Sequence, residues 1–140
     1  MAIKKFKNGD KLLSTEIVSA GGVNLENLFN YSTDETPIGT WTNDETLYRK
    51  VINIGALPNA EAKTYTWSIP GIKSVVGFKM YAYDNANGSI LSLPYVYPST
   101  QYIDYWMTLE YVKTNSVQII TGTNRSGFTG YIILEYTKNE

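Results

Sequence analysis

From Gly130 to Thr137 the chain reads Gly-Tyr-Ile-Ile-Leu-Glu-Tyr-Thr, and only an extended backbone sorts those side chains. With a period of two, Ile132, Leu134 and Tyr136 share one face, and Tyr131, Ile133 and Glu135 the other. The same alternation recurs upstream. Tyr65, Trp67 and Ile69 alternate with Thr66 and Ser68, and Val76, Phe78, Met80 and Ala82 point inward against Gly77, Lys79 and Tyr81 outward. Met107, Leu109 and Tyr111 alternate with Thr108 and Glu110, and Val117 and Ile119 with Ser116 and Gln118. Lys113-Thr114-Asn115 between those two runs makes them a hairpin. Leu47–Ile54 reads as a further strand whose pattern Arg49 and Lys50 interrupt, and Ser89–Leu93 as a short return strand.

Strands at such spacing, separated by Gly, Pro, Asn and Ser, predict an all-β fold, either an antiparallel β-sandwich or a flattened barrel. No helix longer than two turns is predicted. Asn24-Leu25-Glu26-Asn27-Leu28-Phe29 is the one short candidate, with Asn24 as its cap. Residues 1–30 are lysine-rich at first and then carry Ser19-Ala20-Gly21-Gly22, so they read as an N-terminal arm or linker before a domain over 31–140. A chain of 140 residues is long enough for one core.

Missing residue types narrow the chemistry. There is no cysteine and no histidine, which removes disulfides, thiolate nucleophiles, Ser-His-Asp triads and His-ligated metal centres. Net charge is −1, with 12 basic and 13 acidic residues, so no general field attracts nucleic acid. No apolar run approaches the ~20 residues that cross a bilayer as a helix, and no apolar signal core follows Met1-Ala2-Ile3-Lys4-Lys5. The expectation is a soluble, non-enzymatic domain without metal or cofactor.

Aromatic residues are abundant: 12 Tyr, 4 Phe and 3 Trp. Five of them, Tyr95, Tyr97, Tyr102, Tyr105 and Trp106, fall between Pro94 and Trp106, a stretch that two prolines and a polar centre mark as a loop. Their rings suit the C–H faces of sugars, and tyrosine hydroxyls, Gln101 and Asp104 suit sugar hydroxyls, so the candidate ligand-binding set is Tyr95, Tyr97, Gln101, Tyr102, Asp104, Tyr105 and Trp106. The same rings equally suit the end of a sandwich or a subunit interface. Trp41, Trp67 and Tyr65 read as core. Tyr81 and Tyr83 face outward, where they are exposed, covered by the N-terminal arm, or buried between protomers.

Other patterns have plainer readings. Asp84-Asn85-Ala86-Asn87-Gly88 lacks the full ligand alternation and terminal Glu of a calcium loop and reads as a hairpin turn. Asp104 and Glu110, the least implausible carboxylate pair for glycoside hydrolysis, read as surface charge. Asn124-Arg125-Ser126-Gly127 reads as a turn with one exposed arginine.

Tyr31-Ser32-Thr33-Asp34-Glu35-Thr36-Pro37-Ile38-Gly39-Thr40-Trp41, followed by Leu47-Tyr48-Arg49-Lys50, resembles a motif of tail proteins from phages and prophages of Gram-positive bacteria. The likeness continues through Gly55-Ala56-Leu57-Pro58-Asn59, Leu93-Pro94-Tyr95 and Asn124-Arg125-Ser126-Gly127 to Leu134-Glu135-Tyr136-Thr137-Lys138, covering roughly residues 31–138. Where that family commonly has an Asp-Gly-Lys-Pro-like turn, this chain has Thr42-Asn43-Asp44-Glu45-Thr46. The resemblance implies a C-terminal domain of a tail fibre or receptor-binding protein in the virion tail. It further implies a homotrimer that contacts other tail proteins and a host cell-surface saccharide. The alternative is a carbohydrate-binding module of a cell-wall-degrading enzyme.

Overall fold

A computed structural model describes residues 30–96 and 104–139. The predicted arm over 1–30, apart from Asn30, and the candidate helical turn at 24–29 lie outside the described residues. The described residues contain no helix and eight strands: β1 (Thr36–Thr40), β2 (Thr46–Ala56), β3 (Ala62–Thr66), β4 (Ile72–Asp84), β5 (Ile90–Ser92), β6 (Met107–Val112), β7 (Ser116–Thr121) and β8 (Phe128–Lys138). They pair antiparallel in two sheets, β1-β2-β8-β4-β5 and β3-β7-β6. The predicted all-β sandwich is the observed architecture, and no barrel closes.

The last strand of the chain organises the larger sheet. β8 lies between β2 and β4, where its inward residues Ile132, Leu134 and Tyr136 are wholly buried. Met80 and Ala82 of β4 join them, and Tyr65, Met107, Val117 and Ile119 complete the core from the smaller sheet. Burying such a face is the main force that holds the two layers together.

Three details differ from the sequence reading, two of them at bulges. In β4 the register skips between Val75 and Gly77, so Val75 rather than Val76 packs toward the core with Phe78. In β6 a shift between Leu109 and Tyr111 turns Tyr111 off the face of Met107 and Leu109. Its hydroxyl instead meets that of Thr64 at 3.4 Å. The strand expected over Tyr65–Ile69 ends at Thr66; Trp67 adds one last amide bond in the same register, to Asn115 O, and its indole N–H donates to Thr114 O. Tyr65 and Ile69 are buried as expected, and Trp67 packs half-buried against them.

Trp41 is not a core residue; it is 39% exposed. It begins the β1–β2 turn, accepting the Asp44 amide at 2.9 Å and donating to Glu45 O at 2.8 Å, at the edge of the sheet. Asp44 takes a positive φ of 65°, a conformation that aspartate tolerates better than most residues. The Asp84–Gly88 segment is the hairpin turn expected. Asp84 and Asn87 carboxyl and amide oxygens accept the Ala86 and Ser89 amides, both at 2.9 Å, and Gly88 supplies φ 78°.

Near the N-terminal edge, the Tyr136 hydroxyl donates to Glu35 at 2.7 Å, and Lys138 Nζ reaches the other Glu35 oxygen at 2.9 Å. Desolvation pushes the Glu35 carboxyl up, yet the Tyr136 hydrogen bond and Lys138 outweigh it and hold the group below the ordinary carboxylate value. Burial, then the Glu35 contact, raises the Tyr136 phenol. A folded-state pKa below the unfolded one stabilises the protein above the unfolded value, and the gain is lost as pH falls through the folded one. Urea unfolding from pH 7 toward pH 3 should therefore show a loss of stability that Glu35→Gln makes shallower. The effect is modest, since both partners of the ion pair remain partly solvated.

Candidate functional site

The described members of the predicted ligand set lie at one end of the sandwich, around a loop that leaves β5 and returns into β6. Tyr95 and Met107 form an isolated antiparallel bridge, each amide donating to the other's carbonyl at 2.8 and 2.9 Å. That bridge closes residues 96–106 into a loop whose ends are adjacent. Tyr97, Gln101 and Tyr102 lie outside the described residues. The Leu93–Pro94 peptide that leads in is cis.

The returning limb is held at two further points. Gly122 donates its amide to Trp106 O at 3.1 Å, and the Trp106 ring lies against Gly122 so closely that an added Cβ would stand 2.6 Å from its Nε1 and 2.7 Å from Cε2. Arg125, on the β7–β8 connection, donates from a terminal nitrogen to Tyr105 O at 2.7 Å. Its guanidinium carbon sits 5.9 Å from the Tyr95 ring centroid, 5.3 Å from that of Tyr105 and 5.1 Å from that of Phe128. A cation among three π faces is attracted to each, most strongly where water is excluded.

Arg125 is thus a buried residue, 8% exposed, and not the exposed turn arginine that its sequence setting suggests. Its Nε is buried with no hydrogen-bond partner. The turn itself is as expected: Asn124 Oδ1 accepts the Ser126 amide and Arg125 O the Phe128 amide, both at 2.9 Å. This turn aims the side chain back across the sandwich end.

The pinned limb sorts the predicted site residues. Tyr95 is half-buried against the core, and Trp106 half-buried against Gly122, so both act as roots of the loop. Asp104 and Tyr105 are exposed, and they are the described residues of the set placed to meet a ligand. Glu110, also exposed, falls at the β6 bulge. Among the described residues no group of three or more acidic side chains gathers as a metal site. No helix among them is long and apolar enough to cross a membrane.

A second surface feature was legible only in part. On the outer face of the five-stranded sheet Tyr81 stands opposite Tyr131, and Tyr83 opposite Ile90, across neighbouring strands. Together they line an open, largely aromatic cleft of about 350 Å³. Alternation had placed Tyr81, Tyr83 and Tyr131 outward. Their convergence depends on β8 inserting beside β4, a pairing that no local pattern announces.

No family model, curated protein or solved structure matches the chain.

Proposed function

We propose that this domain is a non-enzymatic recognition module of a phage or prophage tail, part of a tail fibre or receptor-binding protein, which attaches to a host cell-surface saccharide through the 96–106 loop. The observation that carries the reading is the combination of exposed Tyr105 and Asp104 with roots pinned by the Tyr95–Met107 bridge and the buried Arg125. Asp104 and Tyr105 stand on a limb held at both Met107 and Arg125, so little ordering entropy opposes contacts made by those two residues. An aromatic ring beside a carboxylate offers stacking to a sugar's apolar face and an acceptor to its hydroxyls. The tail setting rests on the motif likeness over residues 31–138.

A homotrimer seated among other tail proteins would present three such loops together, and weak single sites would then sum to tight attachment. The test is calorimetric titration of the folded chain with purified wall polysaccharides from a panel of Gram-positive bacteria. At least one polysaccharide should bind saturably. Tyr105→Ala should weaken that binding about tenfold, the loss of roughly 1.4 kcal/mol expected for one stacking ring, with the unfolding midpoint unchanged. Absence of binding across the panel, with the fold intact, removes the recognition role. Light scattering separates the trimeric tail domain from a monomeric carbohydrate-binding module.

A further inference from the structure

The tyrosines of the outer-face cleft differ from those that serve the fold in what their hydroxyls do. Tyr65 donates to Ala56 O at 2.6 Å, Tyr136 donates to Glu35 at 2.7 Å, and Tyr111 meets the Thr64 hydroxyl at 3.4 Å. The hydroxyls of Tyr81, Tyr83 and Tyr131 make no hydrogen bond among the described residues, and Tyr83 and Tyr131 are 39% and 36% exposed. Phenylalanine would give the same ring packing with no polar group to desolvate. Three open phenols side by side therefore suit a ligand that is itself part apolar and part hydrogen-bonding.

Register gathers them into one patch. Tyr81 and Tyr131 are direct partners across β4 and β8, with Cβ atoms about 5 Å apart, and Tyr83 follows two residues on, about 7 Å along β4. The row that holds the first pair continues to a polar residue on each side: Asn53 of β2 faces Tyr131, and Ser92 of β5 faces Tyr81. Asn53–Tyr131–Tyr81–Ser92 thus crosses four strands in about 14 Å, with rings in the middle and hydrogen-bonding groups at both ends. Asn53 and Ser92 are exposed. Asn53 Oδ1 accepts the Gly55 amide at 2.9 Å, which leaves the side-chain N–H groups as donors.

We propose that this cleft is a second saccharide-binding surface, separate from the 96–106 loop. Sugar rings lie on Tyr81, Tyr83 and Tyr131, and their hydroxyls bond the phenols, Asn53 and Ser92. A sugar carries an apolar C–H face and a polar rim together, and the Asn53–Tyr131–Tyr81–Ser92 row offers a partner to each. Ile90, opposite Tyr83 and 66% exposed, adds an aliphatic contact for the C–H face. A purely apolar occupant would desolvate the phenol hydroxyls with nothing to pair them, which disfavours it. The surface takes nothing from Tyr105 or Asp104, so it does not rest on the role proposed for the loop.

The test is an NMR titration of the full chain, with ring-labelled tyrosine, against soluble oligosaccharides built on glucose, galactose, rhamnose and N-acetylglucosamine. At least one should move the Tyr81, Tyr83 and Tyr131 signals saturably. Tyr131→Ala should weaken that binding about tenfold, and Tyr81→Phe, which keeps the ring and removes only the hydroxyl, about threefold. Both side chains point away from the core, so the unfolding midpoints should stay with the parent. Cleft signals that no oligosaccharide moves overturn the proposal, whatever happens at Tyr105. So does a response that Tyr105→Ala removes and Tyr131→Ala spares, which belongs to the loop. Self-association of the parent that Tyr131→Ala abolishes, seen by light scattering without any saccharide response, assigns the cleft to a second copy and overturns it as well.

Discussion

Arg125→Ala should lower the unfolding free energy by about 3 kcal/mol, read as a lower urea midpoint at an unchanged slope. The argument starts from what the truncation removes. The guanidinium's hydrogen bond to Tyr105 O disappears, and a charged hydrogen bond of that kind contributes roughly 1.5–3 kcal/mol. Contacts with the Tyr95, Tyr105 and Phe128 rings are lost as well, and so is the packing of the aliphatic stem. These terms share one side chain, so they do not add in full.

Arg125→Met separates stability from positioning. Its unpaired Nε makes Arg125 an incompletely satisfied buried ion, and an apolar side chain of similar length avoids that desolvation. Arg125→Met should therefore unfold within about 1 kcal/mol of the parent while still freeing the Tyr105 carbonyl. If the loop binds saccharide, Arg125→Met then loses affinity with little loss of stability. Equal affinity in parent and Arg125→Met would show that Arg125 supports the fold alone.

Arg125 also marks where sequence reasoning stops. A single arginine between Asn124 and Ser126 has every local sign of a solvated turn, and local geometry at that turn is as the sequence predicts. Its burial comes from Tyr95 and Tyr105, 30 and 20 positions upstream, which reach it only because the Tyr95–Met107 bridge closes the loop. A cue was present in the density of aromatic residues around Tyr95–Trp106, but not the identity of the cation they enclose.

Period-two alternation identified the inward faces of β8 and of the C-terminal half of β4, because a half-buried strand must expose every second residue. It failed where pairing introduces an extra residue, at Val76 and Glu110, since a bulge is a property of two strands and one strand's pattern cannot reveal it. β1 went unread for a different reason. Thr36-Pro37-Ile38-Gly39-Thr40 carries a proline and a glycine that argue against a strand, and it is tolerated because β1 is an edge with a register shift between Pro37 and Gly39.

Gly122→Val should be about as damaging as Arg125→Ala, near 3 kcal/mol, and for the opposite physical reason. Arg125→Ala removes contacts; Gly122→Val forces atoms into occupied space. An ideal Cβ at Gly122 collides with the Asp104 carbonyl oxygen and stands 2.6 Å from Trp106 Nε1. Backbone cannot yield as the end of a flexible side chain can, so either Trp106 leaves its seat or the Gly122–Trp106 hydrogen bond breaks. In each case Asp104 and Tyr105 move with the returning limb. Intrinsic tryptophan fluorescence offers a direct reading, because Trp106 should shift toward the emission of a solvated indole while Trp67 keeps its bond to Thr114 O. Gly127→Val, at a glycine where an added Cβ meets nothing within 4 Å, is the matched control and should leave Trp106 in place. Parent-like stability and emission in Gly122→Val would show that the limb is not seated against Gly122, and the pinned-loop account of the site would fall with it.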